Sequence, residues 1–238
     1  MSPKTKTKAI ARRKTGSKPA RPARGVADGT LKEQLERNDR LLRETGHLFG
    51  LEKMRRKESD PGTYEAVWQI LLNICNTGHV VGCRVSSSPI AAEGGDALWS
   101  LHLPTGEAIC TSRGIVSHPG LLSLLLRSYI ESGYEEDPGF RPGDIYENND
   151  PHFGGIHSAD FRTTVPSFYR GKLIAWTGSV THVMDAGFVL PGSIGLINPD
   201  CVSDGVPVVA ERIGENDHFY PWYEKRMRSR TRVPDWTM

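Results

Sequence analysis

Apolar positions recur along the chain in blocks of helical and of strand spacing. Leu31, Leu35, Leu41 and Leu42 mark one face among charged residues over 30–47, the repeat of an amphipathic helix. Thr30 followed by Glu33 is a capping box, in which hydroxyl and carboxylate satisfy free amides of the first turn. Tyr64, Val67, Trp68, Leu71, Leu72 and Cys75 form a broader stripe and predict a second helix over 61–76. Asp60 suits its cap, Pro61 its first turn and Gly78 its stop. Residues 80–85 are short and β-branched and read as a strand. Strands over 97–103 and 107–111, joined through Pro104-Thr105-Gly106, predict a hairpin. Residues 118–132 carry Leu121, Leu122, Leu124, Leu125, Leu126 and Ile130, apolar nearly all round, so a buried helix closed by Gly133 is expected.

Beyond it, residues 138–155 are dense in Gly, Pro, Asn and Asp and read as a loop with a short strand at 144–146. A second hairpin follows, with strands over 161–169 and 173–181 joined by Arg170-Gly171-Lys172. Residues 186–207 are again rich in Gly and Pro, and a helix begins within 222–232. No internal repeat is apparent. The pattern predicts an α+β fold in which antiparallel hairpins and their sheet pack against helices, and long Gly/Pro loops carry the site. Trp176 and Phe168 on the second hairpin are core candidates.

Charge separates the N-terminus from the rest. The first 27 residues hold no acidic residue and nine Lys or Arg, yet the whole chain carries only +2. Residues 1–29 are therefore expected to be a disordered basic tail, solvated or in electrostatic contact with an acidic partner or nucleic acid, and 30–238 the folded domain. A body that grips nucleic acid along its whole surface is excluded, so nucleic acid is not the expected partner. No apolar run is long enough to span a membrane, and no apolar core follows the basic residues as in a secretory signal. Cys75, Cys83, Cys110 and Cys201 form no C-x-x-C pair, which points to small buried thiols in a reducing cytoplasm.

The chemistry concentrates in Asn149-Asp150-Pro151-His152-Phe153-Gly154-Gly155-Ile156-His157-Ser158-Ala159-Asp160 and in Thr181-His182-Val183-Met184-Asp185-Ala186-Gly187. A hairpin turning near residue 171 sets His182 opposite residue 160, and His157 lies three residues earlier. His157, Asp160 and His182 can thus converge. Two neutral imidazoles and one carboxylate suit a divalent transition metal such as manganese, iron or zinc; calcium prefers oxygen donors. Asp150 and Asp185 are further candidates, as ligands or as acceptors that fix an imidazole tautomer. His152 reads as solvent-facing. Arg113 and His118 are candidates for orienting an anion near the buried helix, or for a surface ion pair. No residue is assigned as acid, base or nucleophile.

These motifs, with Gly143-Asp144-Ile145-Tyr146, Val165-Pro166-Ser167-Phe168, Pro191-Gly192-Ser193, Thr111-Ser112-Arg113-Gly114-Ile115 and Ile213-Gly214-Glu215-Asn216-Asp217, resemble the hydantoinase B/oxoprolinase family over residues 30–238. Within it they most resemble the acetone carboxylase alpha branch. The resemblance implies a manganese ion held by His157, Asp160 and His182, with Zn2+ or Fe2+ as alternatives. It implies a ligase-type reaction in which a ketone is carboxylated with bicarbonate, acetone giving acetoacetate. ATP would be used by a hydantoinase A-like partner subunit, in a hetero-oligomer with a small third subunit. The chain lacks G-x-x-x-x-G-K-[ST], in keeping with ATP used elsewhere. Alpha subunits of that branch are several times longer, so a fragment or split subunit is expected, with an apolar face that a partner would cover. Two other readings remain open: a subunit of an ATP-dependent hydrolase of cyclic amides, and a non-catalytic assembly module.

Overall fold

In the computed structural model, which describes residues 29–190, 198–200 and 203–237, Thr30 and Glu33 form the expected capping box at the start of helix α1 (Leu31–Thr45). The basic stretch 1–28, Pro191-Gly192-Ser193 and Cys201 lie outside the described residues. Two short helices, α2 (Arg55–Ser59) and α4 (Pro89–Ala92), flank the long α3 (Pro61–Val85). Strands β1 (Ala97–His102) and β2 (Ala108–Thr111) precede α5 (His118–Glu131). Then come β3 (Asp144–Asn148), β4 (Asp160–Tyr169), β5 (Lys172–His182), β6 (Glu211–Glu215), β7 (His218–Phe219) and α6 (Pro221–Arg230).

The seven strands form one sheet in the order β2-β1-β5-β4-β3-β6-β7, every neighbouring pair antiparallel. Side chains alternate between its faces. On one face α1 and α5 cover Leu98, Tyr146, Leu173, Trp176 and Val180 with Leu31, Leu35, Leu122, Leu125, Leu126 and Tyr129. Trp176 meets the ring of Phe140 edge-on, centroids 4.8 Å apart. On the other face α3 lays Cys75, Trp68, Leu71 and Leu72 on Leu101, Ile109 and Cys110, while α6 lays Tyr223 and Met227 on Phe161 and Ile213. Cys75, Cys83 and Cys110 are free thiols, and burial pushes that of Cys75 up to about 12.

Three expectations are corrected. Residues 80–85 are helical, because α3 runs through Gly78 to Val85. Gly78 is no stop: with Gly82 it opens the helix surface to Trp99. A Cβ on Gly82 would stand 1.9 Å from Cζ2 of that indole, and one on Gly78 3.0 Å from Cδ1. This packing overrides the β preference of the valines. Helix α5 is buried on one side only, since Leu124 is 56% exposed. Strands β6 and β7 were not anticipated, although Asn216 and Asp217, at φ 52° and 63°, form the tight turn that joins them.

Candidate metal centre

Asp160 opens β4 and His182 closes β5, and the two are direct partners in the ladder. The register that the hairpin turn predicts is the one observed. Strand alternation puts Asp160, Arg162 and His182 on the face that α5 covers. His157 arrives from the segment after a single 3-10 turn, Pro151–Phe153. That segment is held close to α5 by Gly154 (φ +84°), where a Cβ would lie 2.4 Å from the Leu121 carbonyl oxygen.

The three side chains converge. His157 Nε2 lies 3.6 Å from Asp160 Oδ2, and His182 Nδ1 lies 3.4 Å from Asp160 Oδ1. One potential ligand atom from each lies within 4.8 Å of the others, the one such group found among the described residues. Asp160 is 2% and His182 4% exposed; His157 is half-buried. Nitrogen and oxygen ligands about 2.1 Å from one ion, at tetrahedral to octahedral angles, are about 3.0–3.4 Å apart, close to the two carboxylate–imidazole gaps, while the full spread of up to 4.8 Å would narrow on an ion. His182 Nε2 is buried and without a partner among the described residues. A two-imidazole, one-carboxylate set with an unspent buried nitrogen fits a divalent transition metal.

The surrounding charges prepare these groups as ligands. Burial pushes the Asp160 carboxyl up, but the bond to His182 and the charges of His157 and Arg162 outweigh it, leaving Asp160 below the ordinary aspartate range. Burial lowers His157, against the opposing pull of Asp160, and so favours its neutral imidazole. The fully buried Arg162 guanidinium donates to the Asp160 carbonyl at 3.0 Å and lies 3.5 Å from its carboxylate.

Two contributors escaped the sequence reading. Asp96 Oδ2 lies 3.2 Å from His182 Nδ1, and the Asp96 carbonyl accepts the His182 backbone N–H at 3.2 Å. In the sequence Asp96 only follows Gly94-Gly95 ahead of β1, with no motif to mark it. Arg162 shares the face of Asp160 by the period of two, a signal present in the sequence. Asp150 and Asp185 face elsewhere. Asp150 accepts the His152 N–H, and Asp185 holds Gly187 and Arg232. His152 and Arg113 are exposed, whereas His118 is buried.

Comparison with known proteins gives the relationship. The hydantoinase B/oxoprolinase family model matches residues 60–238. The acetone carboxylase alpha subunit of Xanthobacter autotrophicus is 33% identical over 208 residues, which are 86% of this chain and 27% of that protein. The acetophenone carboxylase delta subunit of Aromatoleum aromaticum is 29% identical over 157 residues, 66% of this chain and 22% of that one. A nucleotide-free acetone carboxylase structure superposes with a TM-score of 0.87 at 29% identity, covering 90% of this chain and 28% of that one. The chain thus spans about a quarter of the length of these relatives, and it belongs to the hydantoinase B/oxoprolinase family, where it resembles the acetone carboxylase alpha subunit.

Proposed function

We propose that this chain carries the metal centre of an ATP-dependent ketone carboxylase of the acetone carboxylase type. The observation that supports it most is the convergence of His157, Asp160 and His182 in a chain so similar to an acetone carboxylase alpha subunit. The three side chains would hold Mn2+, with Zn2+ or Fe2+ as the alternatives. When bound, the ion supplies a Lewis acid for a carboxylate, carbonate or enolate oxygen.

The protein's own part follows from the geometry. Asp96 and Asp160 both face Nδ1 of His182, at 3.2 and 3.4 Å, so the imidazole keeps one orientation. The hydrogen bond with His182 and the charges of His157 and Arg162 keep Asp160 ionised inside the fold, against its burial. Burial of Asp160 and His182 keeps water from one side of the site, which protects a reactive carboxylating species from hydrolysis. ATP would be consumed by a hydantoinase A-like partner subunit, and a small third subunit would complete the cytoplasmic assembly.

The family name itself supports a second reading, opening of a cyclic amide such as a hydantoin, oxoproline or lactam. Reconstitution with the partner subunits separates the two. Acetone-dependent ATP hydrolysis with bicarbonate fixed into acid-stable product is expected. ATP hydrolysis that responds to hydantoin or a lactam, and not to ketones, would replace the carboxylase reading with the hydrolase one.

A further inference from the structure

Three of the buried side-chain nitrogens without a partner among the described residues belong to two histidines, one at the end of β5 and one at the start of α5, the helix that covers that face. They are Nε2 of His182 and both ring nitrogens of His118. His118 is 1% exposed, and a buried imidazole that makes no hydrogen bond is costly and uncommon.

Its placement is fixed at both ends. The segment leading into α5 lies over the start of β1, where a Cβ on Gly114 would stand 2.4 Å from the Ala97 carbonyl oxygen and 3.1 Å from Leu98 Cβ. One turn into the helix, Leu122 lies over β5, its Cδ1 3.1 Å from where a Cβ on Gly178 would be. His118 sits between these supports, on the face that carries Asp160, Arg162 and His182. Its ring lies within the fields of Asp160, Arg162, Asp96 and His157. Burial outweighs the pull of Asp160 and keeps the imidazole neutral, with one N–H to donate. Neither neighbouring carboxylate uses that donor. The three-residue metal set leaves at least one coordination position free for a non-protein oxygen.

We propose that His118 is the protein's hydrogen-bond donor to the small oxyanion that completes the metal's coordination, a carbonate- or phosphate-type group with one oxygen on the ion and another on the His118 N–H. This rests on the metal reading above. It turns an otherwise unsatisfied histidine into part of the substrate site.

The test uses the full chain loaded with Mn2+ and titrated separately with bicarbonate and with inorganic phosphate. Calorimetry reads the affinity, and the manganese electron paramagnetic resonance spectrum reads the change at the ion. His118→Phe keeps the ring shape and removes both nitrogens. The variant should bind Mn2+ within about threefold of the wild type and bind the oxyanion about tenfold more weakly or worse. His118→Gln, which restores an N–H, should recover part of the loss. Metal-free His118→Phe should also melt at a higher temperature than the wild type, because two unpartnered nitrogens are gone. A loss confined to bicarbonate or to phosphate identifies which anion is held. Unchanged oxyanion affinity in His118→Phe, or no binding of either anion by the manganese-loaded wild type, overturns the proposal. So does a fall in Mn2+ affinity of about tenfold or more, which would make His118 a ligand itself. A wild-type chain that takes up no Mn2+ overturns the metal reading and this proposal with it.

Discussion

Asp160 meets three partners at once, His182 at its Oδ1 and both His157 and Arg162 at its Oδ2. A charged carboxylate that is 2% exposed persists there only because those partners offset its lost hydration. Asp96 contacts His182 at the same Nδ1 that faces Asp160. Asp96→Asn keeps the shape and weakens the grip on Nδ1. It should lower metal affinity by about 10- to 100-fold while leaving the melting temperature of the metal-free protein nearly unchanged, as titration with Mn2+ would show. The triad was legible from spacing alone, because a two-residue alternation and a tight turn fix which residues oppose each other. Asp96 was not legible: it comes from a different hairpin, and only the β1–β5 pairing brings it to His182.

Helix α3 shows what local pattern cannot carry. Gly78 and Gly82 look like breakers in isolation, but their missing side chains are the groove into which Trp99 fits, with His79 edge-on to the indole at 5.7 Å. Gly82→Ala should therefore destabilise the fold by about 1–3 kcal/mol in urea unfolding, although alanine favours helix more than glycine does. A gain in stability would contradict the packing described. Strands β3 and β4 pose the reverse case. Glu147, on the face opposite the metal centre, is buried and hydrogen-bonded by Tyr223 and by Thr163, at 3.2 Å from the latter. Burial raises it from 4.5 to about 7, against those hydrogen bonds. Below pH 4.5 both folded and unfolded chains hold the proton. Between pH 4.5 and 7 the unfolded chain releases it first, so the contribution of Glu147 to stability declines as pH rises and is lost above about 7. Relative to Glu147→Gln, the wild type should lose on the order of 3 kcal/mol across that window. A constant difference between the two proteins from pH 4 to 8 would refute the assignment.

At the scale of the molecule, one sheet divides two kinds of surface. Helix α5 closes one face over the histidines. On the other, α3 turns Val67, Ile70, Ile74, Val81 and Val85 outward, a stripe at helical spacing with Val85 77% exposed. Among the described residues no helix is long and apolar enough to cross a membrane. An exposed apolar stripe of this kind is expected to be covered by a protein partner. The chain should therefore elute from size exclusion above the position of a 26.3 kDa monomer, and increasingly so with concentration. A sharp monomer peak at every concentration would speak against an unpartnered face. The hairpins, α1, α5 and the α+β class were all visible in the order of apolar positions. The seven-strand order was not, because β6 and β7 join β3 from far along the chain and carry little alternation of their own.

His157, Asp160 and His182 are expected to bind one cation together. Metal-free protein titrated calorimetrically with Mn2+ and Zn2+, beside His157→Ala and His182→Ala, tests it directly. About one ion should bind per wild-type chain, and each variant should lose about 100-fold or more in affinity. Binding that is absent in the wild type, or equal in all three proteins, would contradict it.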